Sequence, residues 1–312
     1  MEERGTEERR EERKEERDRG GCRGDDRGGN EGDGDDCGTE GLAIAIRAFQ
    51  AGEISTAEQL CQELLAAQQS SNPVVLHLAG LVAWQRGALV SAIEYLERAR
   101  VLVPRDADIL FSLGRAVLEA GRFADAASIL EEVCRIEPDA PPAHQALGAA
   151  LRRLGRFAEA ISCHERAIEL APASAGAWSD LASTYLAWGK HESAVMGYKT
   201  ALAISPGAAE LHFNLGTALQ AQDKLAEATG SFRRAIALDP RHAKALINLG
   251  VTLKLQGMLE ESLDSLRRAV ELAPDCADAQ WNLALTLLLA GNYEEGWERY
   301  EWRRRIPDIP IL

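Results

Sequence analysis

Prolines recur through this chain at one fixed interval, and that interval constrains the fold more than any other feature. Each proline follows the previous one by 34 residues. The positions are Pro104, Pro138, Pro172, Pro206, Pro240 and Pro274. Proline ends a helix because it lacks the N–H group and its ring clashes with the preceding turn. A unit of this length that repeats along a chain indicates an architecture of stacked repeats.

Within each unit, apolar residues recur at spacings of three and four, which predicts two helices. A small residue recurs in the first half of the unit, at Gly80, Gly114, Gly148, Ala182, Gly216, Gly250 and Ala284. A bulky residue recurs in the second half, at Leu96, Leu130, His164, Tyr198, Phe232, Leu266 and Tyr300. Small residues let two helix backbones approach closely. One such pair cannot bury both of its faces, so we expect the pairs to stack into an all-α solenoid.

The pattern resembles the tetratricopeptide repeat family. Unit 175–208 carries that signature at Trp178, Leu181, Ala182, Tyr185, Ala194, Tyr198, Ala201 and Pro206. The resemblance implies a right-handed solenoid of about eight helix-turn-helix repeats over 38–306. Its repeats are 38–72, 73–106, 107–140, 141–174, 175–208, 209–242, 243–276 and 277–306. The first is one residue longer and has Gln69 where the proline belongs, which is typical of a capping repeat.

Two segments fall outside the predicted solenoid. Residues 1–37 are rich in glycine and charged residues and have almost no apolar side chains to bury, so we predict a disordered acidic tail. Residues 307–312 form a short C-terminal extension.

The composition excludes several classes of function. A net charge of −14 argues against a general nucleic-acid binder, whose affinity comes from neutralising phosphates. No apolar run approaches 18 residues and no signal-type segment begins the chain, so we expect no membrane association. The six cysteines form no CxxC pair and lack zinc-ligand spacing, which favours reduced thiols and a cytoplasmic protein.

No catalytic motif and no cofactor-binding motif is present, so we expect a protein that is not an enzyme, with no catalytic residue, metal or cofactor. His144 and His212 replace the tryptophan of the family signature, and His164 replaces its bulky second-helix residue. We interpret all three as packing variants.

In this family the first helix of each repeat lines the concave groove. Its groove-facing stripe, opposite the core of the pair, mixes amides, hydroxyls and apolar groups without a strong charge sign. We predict that it binds an extended peptide segment of a partner protein. The candidate peptide-binding residues are Asp180, Ser183, Phe213, Asn214, Thr217, Lys244, Asn248, Trp281 and Asn282.

The same position of three successive repeats, here called its phase, is occupied by Asn214, Asn248 and Asn282. Asp180 occupies this phase one repeat earlier. Asparagine disfavours a helix interior by up to about 0.7 kcal/mol relative to alanine. A side-chain amide offers one donor and one acceptor and so matches a peptide group. The three triplets resemble the asparagine ladder of O-linked N-acetylglucosamine transferases, whose repeats recruit protein substrates. The alternative is that the asparagines bind only water.

The last predicted helix, over 292–305, alternates aromatic and basic residues. Its spacing pairs Glu295 with Arg299, and Glu301 with Arg304 and Arg305, which favours packing and surface ion pairs over nucleic-acid binding. Uncovered aromatic residues in this helix predict self-association.

The same helix resembles the junction helix of bacterial proteins whose repeats lead into a glycosyltransferase domain. The main hypothesis, based on the groove-facing residues, is a peptide-binding scaffold. The alternatives are the substrate-recruiting region of a glycosyltransferase and a structural scaffold that uses the convex face.

Overall fold

The computed structural model describes the backbone of residues 33–69 and 71–306, and the side chains of 40–67 and 71–306. Sixteen α-helices and no strand occur in that part of the chain. The helices are α1 (Asp33–Gln50), α2 (Ile54–Leu64), α3 (Pro73–Gln85), α4 (Leu89–Leu102), α5 (Ala107–Glu119), α6 (Phe123–Ile136), α7 (Pro141–Arg153), α8 (Phe157–Leu170), α9 (Ala175–Ala187), α10 (His191–Ile204), α11 (Ala209–Ala221), α12 (Leu225–Leu238), α13 (Ala243–Leu255), α14 (Leu259–Leu272), α15 (Ala277–Leu289) and α16 (Tyr293–Tyr300). Each odd-numbered helix packs on the next as a pair, and each pair packs on its neighbours. The predicted all-α solenoid is confirmed.

The ends of the solenoid differ in detail from the predicted boundaries. Helix α1 begins at Asp33, inside the predicted tail of 1–37. The remainder of that tail, 1–32, and the extension at 307–312 lie outside the described residues. Helix α2 continues into a π-helical turn, Leu65–Gln69. A π-helical turn adds one residue to a helix, which accommodates the additional residue of the first repeat.

A small residue in the first helix faces a bulky residue in the second, which allows the close approach of the two helices that the small residues predicted. A Cβ atom added to Gly80, Gly114, Gly148, Gly216 or Gly250 would lie 2.5–2.8 Å from the bulky side chain opposite. That distance is shorter than a normal van der Waals contact, so only glycine fits. The bulky residues Leu96, Leu130, His164, Tyr198, Phe232 and Leu266 are fully buried, whereas Tyr300 is half-buried.

The fifth repeat uses the reverse arrangement. It has Ala182 at the small position of its first helix, and Gly197 lies opposite in the second helix. A Cβ atom on Gly197 would lie 2.9 Å from the Cβ of Ala182. The close approach of the two helices is therefore kept although the glycine is on the other helix.

A side-chain N–H near the start of several first helices binds the carbonyl of the proline that ends the preceding repeat. The bonds are His144 Nε2 to Pro138 O at 2.8 Å, Trp178 Nε1 to Pro172 O at 3.2 Å, His212 Nε2 to Pro206 O at 3.0 Å, and Gln280 Nε2 to Pro274 O at 2.9 Å. His144 and His212 thus perform the same structural task as Trp178. Their interpretation as packing variants is confirmed.

His164 is also a packing residue, but an unfavourable one. Its side chain is 0% exposed, and neither ring nitrogen has a hydrogen-bond partner among the described residues. Burial, with a smaller effect of the Arg152 charge, lowers the pKa of the imidazole from 6.5 to about 4. The fourth repeat therefore contains a neutral imidazole where the repeats before and after it have Leu130 and Tyr198.

The C-terminal helix pairs its charges as the spacing predicts. Arg299 Nε lies 3.0 Å from Glu295 Oε1, and Arg304 Nε lies 3.1 Å from Glu301 Oε2. The predicted pair of Glu301 with Arg305 does not form. Instead, the Arg305 guanidinium lies over the ring of Trp302, 4.2 Å from its centroid.

The close approach of helices gives a matched pair of substitutions in one repeat. Gly216→Ala should lower the free energy of unfolding by about 1–3 kcal/mol, because the new methyl group would overlap the buried ring of Phe232. Gly230→Ala, on the exposed face of α12, has no atom within 4 Å of its new Cβ. It should raise the free energy of unfolding by about 1 kcal/mol, because alanine is the better helix former. Urea denaturation measures both; equal effects would contradict the packing described here.

His164 should make the fold sensitive to acid. The pKa of His164 is lower in the folded state than in the unfolded state. Its contribution to the free energy of unfolding is therefore fully present above pH 6.5 and is lost as the pH falls toward 4. Between pH 7 and pH 5 the loss should be about 2 kcal/mol. His164→Leu should remove it, and Leu130→His should introduce the same sensitivity one repeat earlier. Denaturation curves with parallel pH dependence for wild type and His164→Leu would contradict this prediction.

Candidate peptide-binding groove

The first helices of the repeats lie on the inner side of the solenoid. First helices of successive repeats, such as α7 and α9 or α13 and α15, contact each other. Second helices of successive repeats make no comparable contact in the described chain. A stack in which one set of helices is close together and the other is spread apart curves around the close set. The first helices therefore line the concave face.

Asn214 and Asn248 lie on adjacent first helices, α11 and α13, and both are half-buried. Neither side-chain amide forms a hydrogen bond with another described residue, although many neighbouring polar groups do. A half-buried amide without a protein partner keeps both its donor and its acceptor for another molecule. These two residues have the property that the predicted ladder requires.

Asn282, the third residue of the predicted ladder, has protein partners. Its Nδ2 donates to the carbonyl of Asp278 at 2.9 Å, and its Oδ1 accepts from Lys254 Nζ at 3.3 Å. Burial lowers the pKa of Lys254. A peptide must therefore compete with these internal bonds at Asn282, whereas it meets free amides at the other two residues.

Asp180 occupies the phase of the asparagines on α9. Burial raises the pKa of its carboxyl group from 3.8 to about 6, and the charge of Arg152 partly opposes that rise. The carboxyl group forms neither an ion pair nor a hydrogen bond with any described residue. A desolvated carboxyl group without a partner is typical of functional sites.

Asp180 also lines a pocket in the N-terminal half of the groove. The pocket has a volume of about 400 Å³, and residues from α3, α5, α7 and α9 line it. Its walls include Trp84, Phe111, Arg115 and Ala146. The Arg115 guanidinium lies 4.9 Å from the ring centroid of Trp84 and 5.7 Å from that of Phe111. The pocket thus combines an apolar interior with charges at its edge.

Two aromatic candidates from the sequence are engaged in packing. The Phe213 ring lies 4.9 Å from the His242 ring and 6.1 Å from the Phe232 ring, measured between centroids. The Trp281 ring lies 4.8 Å from the Tyr300 ring. Both residues remain partly exposed, so they combine a structural contact with a place at the groove surface.

The two hydroxyl candidates also have internal partners. Ser183 Oγ shares a hydrogen bond of 2.9 Å with the Tyr198 hydroxyl, and Thr217 Oγ1 donates to the Phe213 carbonyl at 3.1 Å. Lys244 is exposed, and no ion pair links it to another described side chain. Of the nine candidates, four have side chains without a partner among the described residues: Asp180, Asn214, Lys244 and Asn248.

Sequence reasoning missed the position on each first helix that reaches the next repeat. Lys254 holds this position and binds Asn282, and Trp84 holds it and donates from Nε1 to Glu119 Oε2 at 2.7 Å. Arg152 holds the same position beside Asp180. Trp84 and Arg152 are 68 residues apart, and Arg152 and Lys254 are 102 residues apart. Both separations are multiples of the 34-residue repeat, which is the signal that could have identified these residues.

Other chemistry finds little support in the described ranges. They contain no group of three or more histidine, cysteine, aspartate or glutamate residues that could hold a metal ion. None of their helices has both the length and the apolar character needed to cross a membrane. Burial raises the pKa of Cys61, Cys134 and Cys163 to about 11, which keeps these thiols protonated.

One known structure agrees with this architecture over most of the chain. A tetratricopeptide repeat protein from Parabacteroides merdae ATCC 43184 superposes with a TM-score of 0.68 at 15% identity, over 80% of this chain and 98% of that chain. A structure of MamA gives a TM-score of 0.47 at 22% identity, over 50% of this chain and 91% of that chain. A structure described as MamA MSR-1 C2 gives a TM-score of 0.49 at 25% identity, over 54% of this chain and 97% of that chain. No curated protein matches the chain significantly.

Family models match most of the solenoid. One tetratricopeptide repeat model matches residues 140–207, and a second matches residues 42–102, 78–141, 213–274 and 256–296. These matches cover well over half of the chain and coincide with its stacked helix pairs. The chain belongs to the tetratricopeptide repeat family.

Proposed function

We propose that this protein is a non-catalytic scaffold that binds an extended segment of a partner protein in its concave groove. Stacked repeats of this family form a surface for protein–protein interaction in general. The observation that carries the finer proposal is the pair of free amides at Asn214 and Asn248, which lie on adjacent first helices of the groove.

The spacing of these amides suits an extended chain. Packed helices lie about 8–10 Å apart, and an extended strand rises about 3.3 Å per residue. One repeat therefore corresponds to roughly three residues of bound peptide. Each amide can donate to one backbone carbonyl and accept from one backbone N–H, which gives affinity with little dependence on peptide sequence.

The N-terminal half of the groove offers a different kind of contact. In our proposal the pocket beside Asp180 accepts one apolar side chain of the same peptide. The Asp180 carboxyl group accepts a hydrogen bond from the peptide backbone, which supplies the partner that this buried group lacks. The peptide would thus be held by its backbone at one end and by a side chain at the other.

The alternative function is recruitment of protein substrates for a glycosyltransferase whose catalytic domain lies elsewhere. It rests on the Asn214, Asn248 and Asn282 ladder and on the aromatic and basic C-terminal helix, where Trp297 is 58% exposed. The coding sequence beyond residue 312 distinguishes the two functions, because only the alternative requires a catalytic domain or a partner that carries one. Either function is consistent with a cytoplasmic protein that has reduced thiols, and neither requires a cofactor.

The free amides give the sharpest test of the groove. Peptides selected from a random library against the whole chain should bind less tightly to Asn214→Ala/Asn248→Ala, by about tenfold or more, since each lost hydrogen bond is worth about 0.5–1.5 kcal/mol. The melting temperature should hold or rise, because alanine is the better helix former and neither amide has a protein partner. Calorimetry measures the affinity and thermal unfolding measures the stability.

Ser162→Ala/Ser231→Ala is the matched control. Both serines are small polar residues on second helices and bond only to carbonyls of their own helix. This control should leave affinity unchanged. Methylation of alternate backbone nitrogens in the peptide should abolish binding, whereas a scrambled sequence should retain most of it. A double asparagine variant that melts earlier and binds normally would contradict the ladder.

Asp180 should make peptide binding depend on pH. A donor from the peptide favours the ionised carboxylate, so binding must remove a proton when the pH is below the free-state pKa of about 6. Affinity should then rise between pH 5 and pH 7, by up to about tenfold per pH unit below 6. Asp180→Asn should flatten this dependence. An equally steep dependence in Asp180→Asn would assign the effect to another group.

A further inference from the structure

A second pocket lies outside the groove, where the convex-side helix α8 meets the α9–α10 pair. Its volume is about 600 Å³. The walls are largely apolar and include Ile168, Trp178, Tyr185 and Met196. Met196 is 71% exposed, so its side chain is accessible to a partner at this pocket. The candidate peptide-binding residues of the groove do not line this pocket.

Gly197 opens the pocket. At the same phase, the second helices of the three preceding repeats carry the larger residues Tyr95, Ile129 and Cys163. Gly197 is required by the close approach of Ala182, so no side chain fills this space in the fifth repeat. The reversed small-residue arrangement of this repeat therefore leaves an apolar hollow beside Gly197.

The edge of the pocket carries an unpaired negative charge. Glu97 and Glu131, at one phase of α4 and α6, each lie 4.0 Å from an arginine of the next repeat. Glu165 holds that phase on α8 and lines the pocket. The cation expected opposite it is Lys190, whose Nζ lies instead over the Trp188 ring, 3.6 Å from the centroid. In the described chain Glu165 forms no ion pair.

The other charged group of the pocket, Glu169, already has a cationic partner. Glu169 Oε2 lies 3.0 Å from Arg166 Nη1, and Arg166 also bonds Asp139. Glu165 acts on the pocket interior, because its charge adds to the effect of burial in raising the pKa of the Tyr185 hydroxyl. The pocket thus offers apolar and aromatic walls with one available carboxylate.

We propose that this pocket binds an arginine side chain of a partner protein, at a site separate from the groove. A guanidinium group pairs with a carboxylate through a planar fork of N–H donors and stacks on aromatic rings, so Glu165, Trp178 and Tyr185 supply both kinds of contact. The aliphatic part of the arginine packs on Ile168 and Met196. The scaffold thereby holds two segments at once, one in the groove and one on the convex side.

The test uses N-acetyl-arginine amide as the probe and N-acetyl-citrulline amide as its neutral counterpart of nearly equal shape. The indole N–H signal of Trp178 in a two-dimensional NMR spectrum, identified by its loss in Trp178→Phe, reports binding. We expect the arginine probe to shift this signal saturably and the citrulline probe to bind about tenfold more weakly, since one charge-assisted interaction is lost.

Glu165→Lys should abolish the shift, whereas Glu97→Lys, the same change at the same phase of a distant repeat, should leave it intact. Exposed pairs contribute little stability, so both variants should fold with similar melting temperatures. Asn214→Ala/Asn248→Ala should also retain the shift, because the two sites are separate. The proposal is overturned if the arginine probe causes no shift, if citrulline binds equally well, or if Glu165→Lys still binds.

Discussion

The close approach of the two helices within each pair is the constraint on which the rest of the structure depends. Glycine or alanine in one helix allows a bulky residue of the partner helix to pack against its backbone. Repetition of this contact fixes the angle of every pair. The first helices then come together and the second helices separate, which creates the concave face. The groove is a consequence of where glycine lies in each repeat.

Much of the fold could be predicted because its rules are local and repeated. The period of the prolines and the phase of residues such as Gly216 and Phe232 depend on contacts within one repeat, and these recur often enough to be recognised. The reversal at Ala182 and Gly197 could not be predicted, since both residues are small and either helix could carry the glycine. The π-helical turn after α2 was visible only as one additional residue.

The candidate site was harder to predict because its chemistry depends on contacts between repeats. The phase of the asparagines was evident from the sequence, but the difference between Asn248 and Asn282 was not. That difference arises from Lys254, which reaches across from the preceding repeat. Glu165 likewise looks like any surface glutamate until the separate contact of Lys190 with Trp188 is seen. Periodicity indicates which residues share a face, but not which of them already have partners.

The buried imidazole of His164 has a consequence for how the chain loses its structure. Each pair contacts only its neighbours, so unfolding is expected to begin at the weakest junction and to spread from there. His164 places that junction in the fourth repeat, between the pocket residues of α3 and α5 and the asparagines of α11 and α13. Mild acid would thus divide one cooperative unit into two. The part that holds Asn214 and Asn248 would then stay folded while the other part opens, and the length of groove open to the proposed peptide would become a function of pH.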